Sequence, residues 1–378
     1  MLLNAIKQME RASRHNASVI SLAQGIPFQS SDEHIRQAAI QAIQTGRADQ
    51  YSDPQGLAEL RRAISCSLAE QQMAYEADEV VVTAGAIEGL NAVLHTLVTP
   101  ERPEVVMPVP VYSAYSRSVT AAGGQVVPVR LDEAHGWRLD ITRVRRALSG
   151  RTAAILICNP NNPTGSVYGR HELTALARLA AEHDCVLVSD EVYGNMLYGG
   201  ATLFSPAQLP TYRRHLIRIV SFSKDFALTG WRIGFVQADA SRIDELLAVH
   251  DTLVNCAPVV SQYAALAALQ QSRRILSANR QTYRRHRVLM ESYLAALGSR
   301  VSYCSPAGAY FFFVRVQGVT DSRAFCLELL KRSGVAVVPG ADFGPGGEAH
   351  VRLCFGRSAA AIRTGMQRFT EFMEDYHG

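Results

Sequence analysis

One lysine of this chain lies where its amine could act as a nucleophile. Lys224 directly follows a strand-like run, and the residues around it are largely apolar. Such a lysine is poorly solvated, so its pKa should fall and its free amine should become available to attack an aldehyde. The only other lysines are Lys7, in a polar N-terminal stretch, and Lys331, in a predicted surface helix; both are interpreted as ordinary surface residues.

Residues suited to a phosphate occur on both sides of this lysine. Ser221 precedes it by three residues and Arg232 follows it by eight, which provides a hydroxyl and a guanidinium group. The segment TAGAIEG (83–89) joins a predicted strand to a helix, and its backbone N–H groups could face an anion. Small residues at such a turn commonly serve packing alone, so this segment carries weight only together with the other motifs.

Three polar side chains are expected where two further strands end. Asp190 ends one predicted strand, and a carboxylate there could pair with a cation such as a protonated pyridine nitrogen. Tyr193 follows three residues later, and Asn162 lies in the proline-restricted loop NPNNPTG (159–165). Taken alone, Asp190 could be a helix cap, Tyr193 a packing aromatic, and the loop an ordinary Asn-Pro turn.

The elements that must position these residues predict an α/β fold. Helical patterns lie between several short apolar runs, which show the lack of polar alternation typical of strands buried on both faces. The runs are 80–83, 105–107, 125–129, 153–158, 186–189, 217–222 and 233–236. This alternation predicts a large domain with a mostly parallel seven-stranded sheet. Ligands of such sheets bind beyond the C-terminal ends of the strands, where the candidate residues lie.

The pattern changes after about residue 261 and predicts a second, smaller α/β domain. A long helical region, 261–297, precedes strand-like and helical segments in the order strand, helix, strand, strand. These are 310–316, 322–333, 335–338 and 350–355. The segment before about residue 32 should pack against this domain. We therefore predict a large domain over 33–285 and a small domain formed by 1–32 with 286–378.

Composition excludes several classes of protein. Of 378 residues, 48% are hydrophobic and 19% are charged, which is typical of a globular chain. No stretch approaches the roughly 20 apolar residues that span a bilayer, and the N-terminal segment is too charged for a secretory signal. Seven scattered cysteines without a CxxC pair favour reduced thiols, so we expect a cytoplasmic protein without a metal site. The net charge of +4 is spread along the chain, which disfavours binding to nucleic acid.

Taken together, the motifs resemble those of the fold-type I enzymes that use pyridoxal 5′-phosphate (PLP), specifically the class I/II or aspartate aminotransferase family. The resemblance runs from about residue 21 to the C-terminus. Its motifs are LAQGIP (22–27), YSDPQGLAELR (51–61), 159–165, SDEVY (189–193), 221–234, PAGAYF (306–311) and HVRL (350–353).

The resemblance implies an aminotransferase that moves an amino group between an α-amino acid and a 2-oxo acid by a ping-pong cycle. PLP would be held as a Schiff base on Lys224. The same residues support β-elimination, cyclisation and oxygen-dependent oxidation in relatives, so a lyase, cyclase or oxidase stays an alternative. A regulator with a degenerate fold is a further alternative, which the presence of Lys224, Asp190 and Arg352 disfavours.

The family's cofactor-binding roles fall on matching positions. Lys224, Asp190 and Tyr193 are the implied catalytic residues, with Asp190 opposite the pyridine nitrogen. Tyr193 and Asn162 are implied as partners of the cofactor's phenolic oxygen. Tyr112 is placed like the aromatic residue that stacks on the ring, and Tyr115 is the weaker candidate for that role.

Phosphate binding is implied for a second group of residues. These are Ser221, Arg232 and the backbone of Gly85, Ala86 and Ile87. Tyr51 resembles a tyrosine that reaches the phosphate of the neighbouring subunit, which implies a homodimer. Ile87 stands where relatives often carry Thr, Lys or Gln, so one side-chain contact to the phosphate is missing.

Substrate binding is implied for Arg352, which resembles the arginine that grips the α-carboxylate, and for Gly25 and Asn162 beside it. Family members specific for dicarboxylates can hold the second carboxylate with an arginine from the partner subunit. The matching stretch here, 252–261, contains no basic residue. Strict aspartate specificity by that device is therefore not expected.

Overall fold

The computed structural model describes Met9 and residues 18–376, in which strands alternate with helices. The described strands are β1 (Ile20–Ser21), β2 (Val80–Thr83), β3 (Glu104–Val109), β4 (Gln125–Arg130), β5 (Thr152–Cys158), β6 (Val186–Asp190), β7 (Leu216–Ser221), β8 (Gly234–Ala238), β9 (Val301–Tyr303), β10 (Phe311–Val316), β11 (Val335–Ala336), β12 (Val338–Pro339) and β13 (His350–Cys354). The described helices are α1 (Glu33–Gln44), α2 (Ala58–Glu70), α3 (Ala86–Leu97), α4 (Ala114–Ala121), α5 (Ile141–Ala147), α6 (Arg170–Glu182), α7 (Phe222–Asp225), α8 (Ile243–Val254), α9 (Val259–Gln270), α10 (Ser272–Ala296), α11 (Ser322–Ser333) and α12 (Ala359–Glu374).

The central sheet has seven strands in the order β2-β8-β7-β6-β5-β3-β4. All pairs are parallel except those of β8, which runs antiparallel to both of its neighbours. Each of the seven predicted strands is present within one or two residues of its expected ends. The α/β class with a mostly parallel sheet is therefore confirmed.

Helices cover the sheet because their apolar residues lie on one face. In α3, for example, Leu90, Val93 and Leu94 are buried, as their spacing of three and four residues predicts. The strands themselves are largely buried on both faces. None of the described helices is both long and apolar enough to cross a membrane.

A second, antiparallel sheet has the order β12-β13-β10-β9, and β1 pairs in parallel with β11. The described residues 20–21 therefore pair with the C-terminal part of the chain. The domain limits at 32/33 and 285/286 stay predictions.

Two predicted elements differ from the structure. The single strand expected over 335–338 is two strands, because Val335–Ala336 pairs with β1 whereas Val338–Pro339 pairs with β13. The long helical region is likewise two helices, since the backbone leaves the helical conformation at Gln271. Apolar periodicity does not indicate a change of partner strand or a one-residue interruption.

Candidate active site

One pocket of about 280 Å³ lies where the C-terminal ends of β5, β6 and β7 meet the start of α3. The segment around Gly25 and strands β10 and β13 complete its wall. Most of the predicted site residues line it, namely Gly25, Ala86, Ile87, Tyr112, Asn162, Asp190, Tyr193, Ser221, Lys224, Arg232 and Arg352. Gly85 lies directly before α3, and Tyr51 is 82% exposed and outside the wall. The tertiary structure thus brings together residues that are up to about 330 positions apart in the chain.

Lys224 lies on the single turn α7, directly after β7. Its Nζ donates a hydrogen bond to the carbonyl oxygen of Gly25 at 2.7 Å. Burial lowers the pKa of Lys224 to about 8, as the apolar flanking sequence predicted. About a tenth of the amine is therefore unprotonated at pH 7, far more than for an ordinary lysine. Of the other two lysines, Lys331 is exposed and Lys7 lies outside the described residues.

Asp190 is a buried carboxylate held by two neutral donors. The hydroxyl of Tyr115 donates to Asp190 Oδ2 at 2.6 Å, and the backbone N–H of Val192 donates to Oδ1 at 3.1 Å. Burial raises the pKa of Asp190 to about 6, and the hydrogen bond from Tyr115 opposes that rise. Such a carboxylate is suited to a positively charged group inside the pocket.

Tyr115 is the contact that sequence reasoning missed. It was considered only as a weaker candidate for stacking, but it is fully buried and its hydroxyl is committed to Asp190. Burial also raises the pKa of Tyr115 well above its ordinary value, so the hydroxyl keeps its proton and donates. The available signal was its position three residues after Tyr112, at the start of α4.

Two further tyrosines shape the pocket. Tyr112 lies in the wall with its ring edge-on to Tyr115, at 5.6 Å between centroids. Tyr193 packs edge-on against Tyr310 and Phe311, at 5.4 and 5.7 Å. Burial raises the pKa of Tyr193 well above its ordinary value, so its hydroxyl stays protonated and can donate.

An anion cradle lies at the start of α3. Gly85 precedes the helix with φ +85°, and a Cβ atom there would overlap the guanidinium group of Arg232. Arg232 itself has φ 53° and ψ 63°, a left-handed conformation that is uncommon for residues other than glycine. The first backbone N–H groups of α3, the helix dipole, the Ser221 hydroxyl and this guanidinium therefore surround one site.

Arg352 is rigidly held in β13 with only 1% of its surface exposed. Its Nη1 donates to Asn162 Oδ1 at 2.9 Å, and its Nη2 donates to the carbonyl oxygen of Ala23. The guanidinium carbon lies 4.2 Å from the ring centre of Phe311 and 5.0 Å from that of Phe343. A buried guanidinium fixed in this way is preorganised for a carboxylate.

Other residues of the wall were not singled out by sequence. They are Gln24, Ile26, Cys158, Val192, Ser223, Thr229 and Phe311. Several are direct neighbours of predicted residues, which was the only signal for them. Within residues 18–376 and at Met9, no three His, Cys, Asp or Glu side chains come together to hold a metal ion.

Comparison with known proteins shows that almost the whole chain is similar to aminotransferases. The sequence pattern of the aminotransferase class I and II family matches residues 17–369. The aspartate/prephenate aminotransferase of Thermus thermophilus is 35% identical over 364 residues, covering 95% of this chain and 92% of that protein. Aromatic-amino-acid aminotransferase 2 of Thermococcus litoralis is 31% identical over 363 residues, covering 94% and 92%.

The fold is also similar to that of a solved aminotransferase structure. Aspartate aminotransferase from Thermus thermophilus with maleate superposes with a TM-score of 0.92 at 34% identity, covering 98% of this chain and 97% of that one. The similarity therefore includes every segment that lines the pocket.

Proposed function

The chain belongs to the aminotransferase class I and II family and transfers amino groups, and we propose that it does so with PLP attached to Lys224. One observation carries the proposal: a single pocket combines a deep lysine of lowered pKa with a buried carboxylate and two arginines. The substrates are small molecules, an α-amino acid and a 2-oxo acid, which react in two successive half-reactions.

The residues of the pocket fit the chemical groups of PLP. The cradle of Ser221, Arg232 and the start of α3 supplies hydroxyl, guanidinium and backbone N–H donors, the set that binds a phosphate. A side chain at Gly85 would fill this cradle. Asp190, held by neutral donors, is suited to a protonated ring nitrogen. The amine of Lys224 is the group with which an aldehyde reacts.

Each residue then has a task in the reaction. When bound, PLP supplies an electron-accepting ring that stabilises the charge released at the substrate's Cα. Lys224 Nζ, once the substrate's amine has replaced it, would accept the proton from Cα and deliver it to the cofactor's C4′ carbon. Asp190 would face the ring nitrogen in its ionised form. Tyr193 and Asn162 would hydrogen-bond with the phenolic oxygen, and Tyr112 would pack against the ring.

Arg352 is proposed to bind the substrate's α-carboxylate, together with Asn162 and the backbone of Gly25. Its guanidinium is already fixed by Asn162 Oδ1 and by the carbonyl oxygen of Ala23, so little conformational freedom is lost on binding. A carboxylate held at one place also fixes the direction of the Cα–H bond relative to Lys224.

The chain is proposed to form a homodimer in which Tyr51 of one subunit reaches the active site of the other. The side chain of Tyr51 is 82% exposed in the protomer and lies outside the pocket of its own chain. An exposed tyrosine of this kind is suited to reach the phosphate site of a second copy. Sedimentation analysis of the purified protein tests this assembly.

The visible absorption spectrum tests the proposed function directly. After incubation with PLP the protein should be yellow, one amino acid should bleach the band, and a 2-oxo acid should restore it. Release of ammonia without any need for a 2-oxo acid would instead favour lyase, cyclase or oxidase chemistry. A protein that stays colourless with PLP would contradict the proposal.

Tyr115→Phe should weaken the binding of PLP to the apoenzyme roughly 10- to 100-fold, because a hydrogen bond to a charged group is lost. The same hydrogen bond lowers the pKa of Asp190, so its removal raises that pKa above about 6. Since PLP requires the ionised carboxylate, affinity should be lost at a higher pH in the variant than in the wild type. Fluorescence titration with PLP between about pH 5 and 8 measures both effects.

Tyr168→Phe is the matched control for this experiment. Tyr168 is also fully buried, and its hydroxyl accepts a hydrogen bond from Asn161 at 3.2 Å, but it lies outside the pocket wall. The control should lose some stability and keep its affinity for PLP. Equal affinities and equal pH midpoints in the wild type and Tyr115→Phe would refute a positioning role for Tyr115.

A further inference from the structure

Three cationic side chains line the pocket, and the proposed function gives each of them a partner. Lys224 carries the cofactor, Arg232 binds its phosphate, and Arg352 binds the α-carboxylate of the substrate. Among the described residues of the wall there is no fourth Lys, Arg or His. A second carboxylate on the substrate would therefore find no cation within this set.

The remaining wall offers apolar surface where a substrate side chain would lie. Ile26 directly follows the Gly25 carbonyl that accepts from Lys224, and Ile87 lies on the first turn of α3. Ile87 is 37% exposed, which is high for a large apolar residue inside a cavity wall. Phe311 also lines the pocket, but it is fully buried with its ring against the guanidinium of Arg352. The exposed apolar surface is therefore that of Ile26 and Ile87. Contact with an apolar group would remove this surface from water, which is favourable.

We propose that the amino donor of this enzyme has an uncharged, apolar side chain and that aspartate and glutamate are poor donors. The inference rests on the proposed function, because that function assigns the three cations. It concerns this chain and not its relatives, of which one is named an aspartate/prephenate and another an aromatic-amino-acid aminotransferase.

Electrostatics separate the two classes of donor. A side-chain carboxylate beside Ile26 and Ile87 would lose hydration without gaining an ion pair from the described wall. Gln24 and Thr229 also line the wall, but their uncharged side chains carry no charge to replace that hydration. The positive end of α3 is occupied by the phosphate in the proposed complex, so it does not supply the missing charge.

The first experiment follows the donor half-reaction of the holoenzyme. Leucine, methionine, phenylalanine, aspartate and glutamate are added singly, and the bleaching of the visible band is recorded against concentration. The ratio of rate constant to dissociation constant should be at least about 100-fold higher for the best neutral donor than for either acidic one. A ratio near one, or a preference for aspartate or glutamate, overturns the inference.

The second experiment measures binding without turnover. Calorimetric titration of the holoenzyme compares 4-methylpentanoate with succinate, two inert acids that differ in the presence of a second carboxylate. The monocarboxylate should bind at least about 10-fold more tightly, since one desolvated, unpaired charge is avoided. Tighter binding of succinate would contradict the inference, even if a step other than substrate binding limited the bleaching rates of the five amino acids.

A substitution tests whether the apolar wall causes the preference for a monocarboxylate. Ile87→Lys adds a cation to the pocket and should reduce the preference for 4-methylpentanoate over succinate by about 10-fold or more. Ile43→Lys is the matched control, because Ile43 is an exposed isoleucine of α1 outside the wall. An equal effect of both variants would exclude a specific role for Ile87 and overturn the inference.

The outcomes distinguish the inference from the proposed function. If aspartate or glutamate bleaches the band best, the inference fails while amino transfer through PLP stands. If no amino acid bleaches the band of the PLP-loaded protein, the proposed function fails and the inference fails with it.

Discussion

Lys224→Ala should reduce transamination by at least about 10⁴-fold, because one residue supplies both the covalent attachment and the proton transfer. Its Nζ lies 2.7 Å from the carbonyl oxygen of Gly25, and burial lowers the pKa of Lys224 to about 8. Among the described residues, the pocket wall contains no second lysine that could replace it. Steady-state assays with the best amino donor, combined with the visible spectrum, measure the effect.

The control for this variant is Lys331→Ala. Lys331 is exposed near the end of α11, so its replacement should leave both the rate and the spectrum unchanged. Lys224→Ala should still bind some free PLP through the phosphate cradle, since Ser221 and Arg232 are intact. Thermal unfolding verifies that the variant is folded. Full activity in a folded Lys224→Ala protein would disprove the assignment of the site.

Arg352→Ala is expected to lower kcat/KM for α-amino acids by about 30- to 1000-fold, mainly through a higher KM. A desolvated pair between a guanidinium and a carboxylate contributes about 2–4 kcal/mol, and the side chain is 1% exposed. The kcat/KM of Arg352→Lys should lie between those of the wild type and Arg352→Ala, because an ammonium group cannot form the same bidentate contact. Measurement of kcat and KM with the same donor gives the two effects separately.

The structure also shows how Arg352→Ala could fail for an unrelated reason. Its guanidinium fills the space between Phe311 and Phe343 and donates to Asn162, so alanine leaves a cavity and an unpaired oxygen. Arg352→Met keeps much of the volume and serves as the comparison. A carboxylate-free amine such as phenylethylamine should react equally slowly with wild type and variant. An unchanged KM for α-amino acids in folded variants would mean that the carboxylate binds elsewhere.

The sequence predicted most of the central fold because that fold depends on local patterns. Buried parallel strands are short apolar runs, and all seven were found within one or two residues of their ends. The separation of 335–338 into two strands was missed, because each half pairs with a different strand and only tertiary contacts decide that choice.

By itself, the sequence determined the chemistry of the pocket residues. It identified Lys224 by its apolar surroundings and Ser221 by its spacing of three residues from that lysine. Asp190 was identified by its position at a strand end, since parallel strands present their C-terminal ends at one edge of the sheet. The resemblance to a family added Arg352, which no local pattern connects with Lys224.

Only the tertiary structure decided the contacts between segments that are distant in the chain. It joined the hydroxyl of Tyr115 to Asp190, 75 residues further on, and the guanidinium of Arg352 to Asn162, 190 residues before it. It also placed Ile87 in the wall as an exposed apolar side chain. Hydrogen bonds and desolvation depend on distances of a few ångströms in space, and those distances are fixed by the packing of the sheets and their helices.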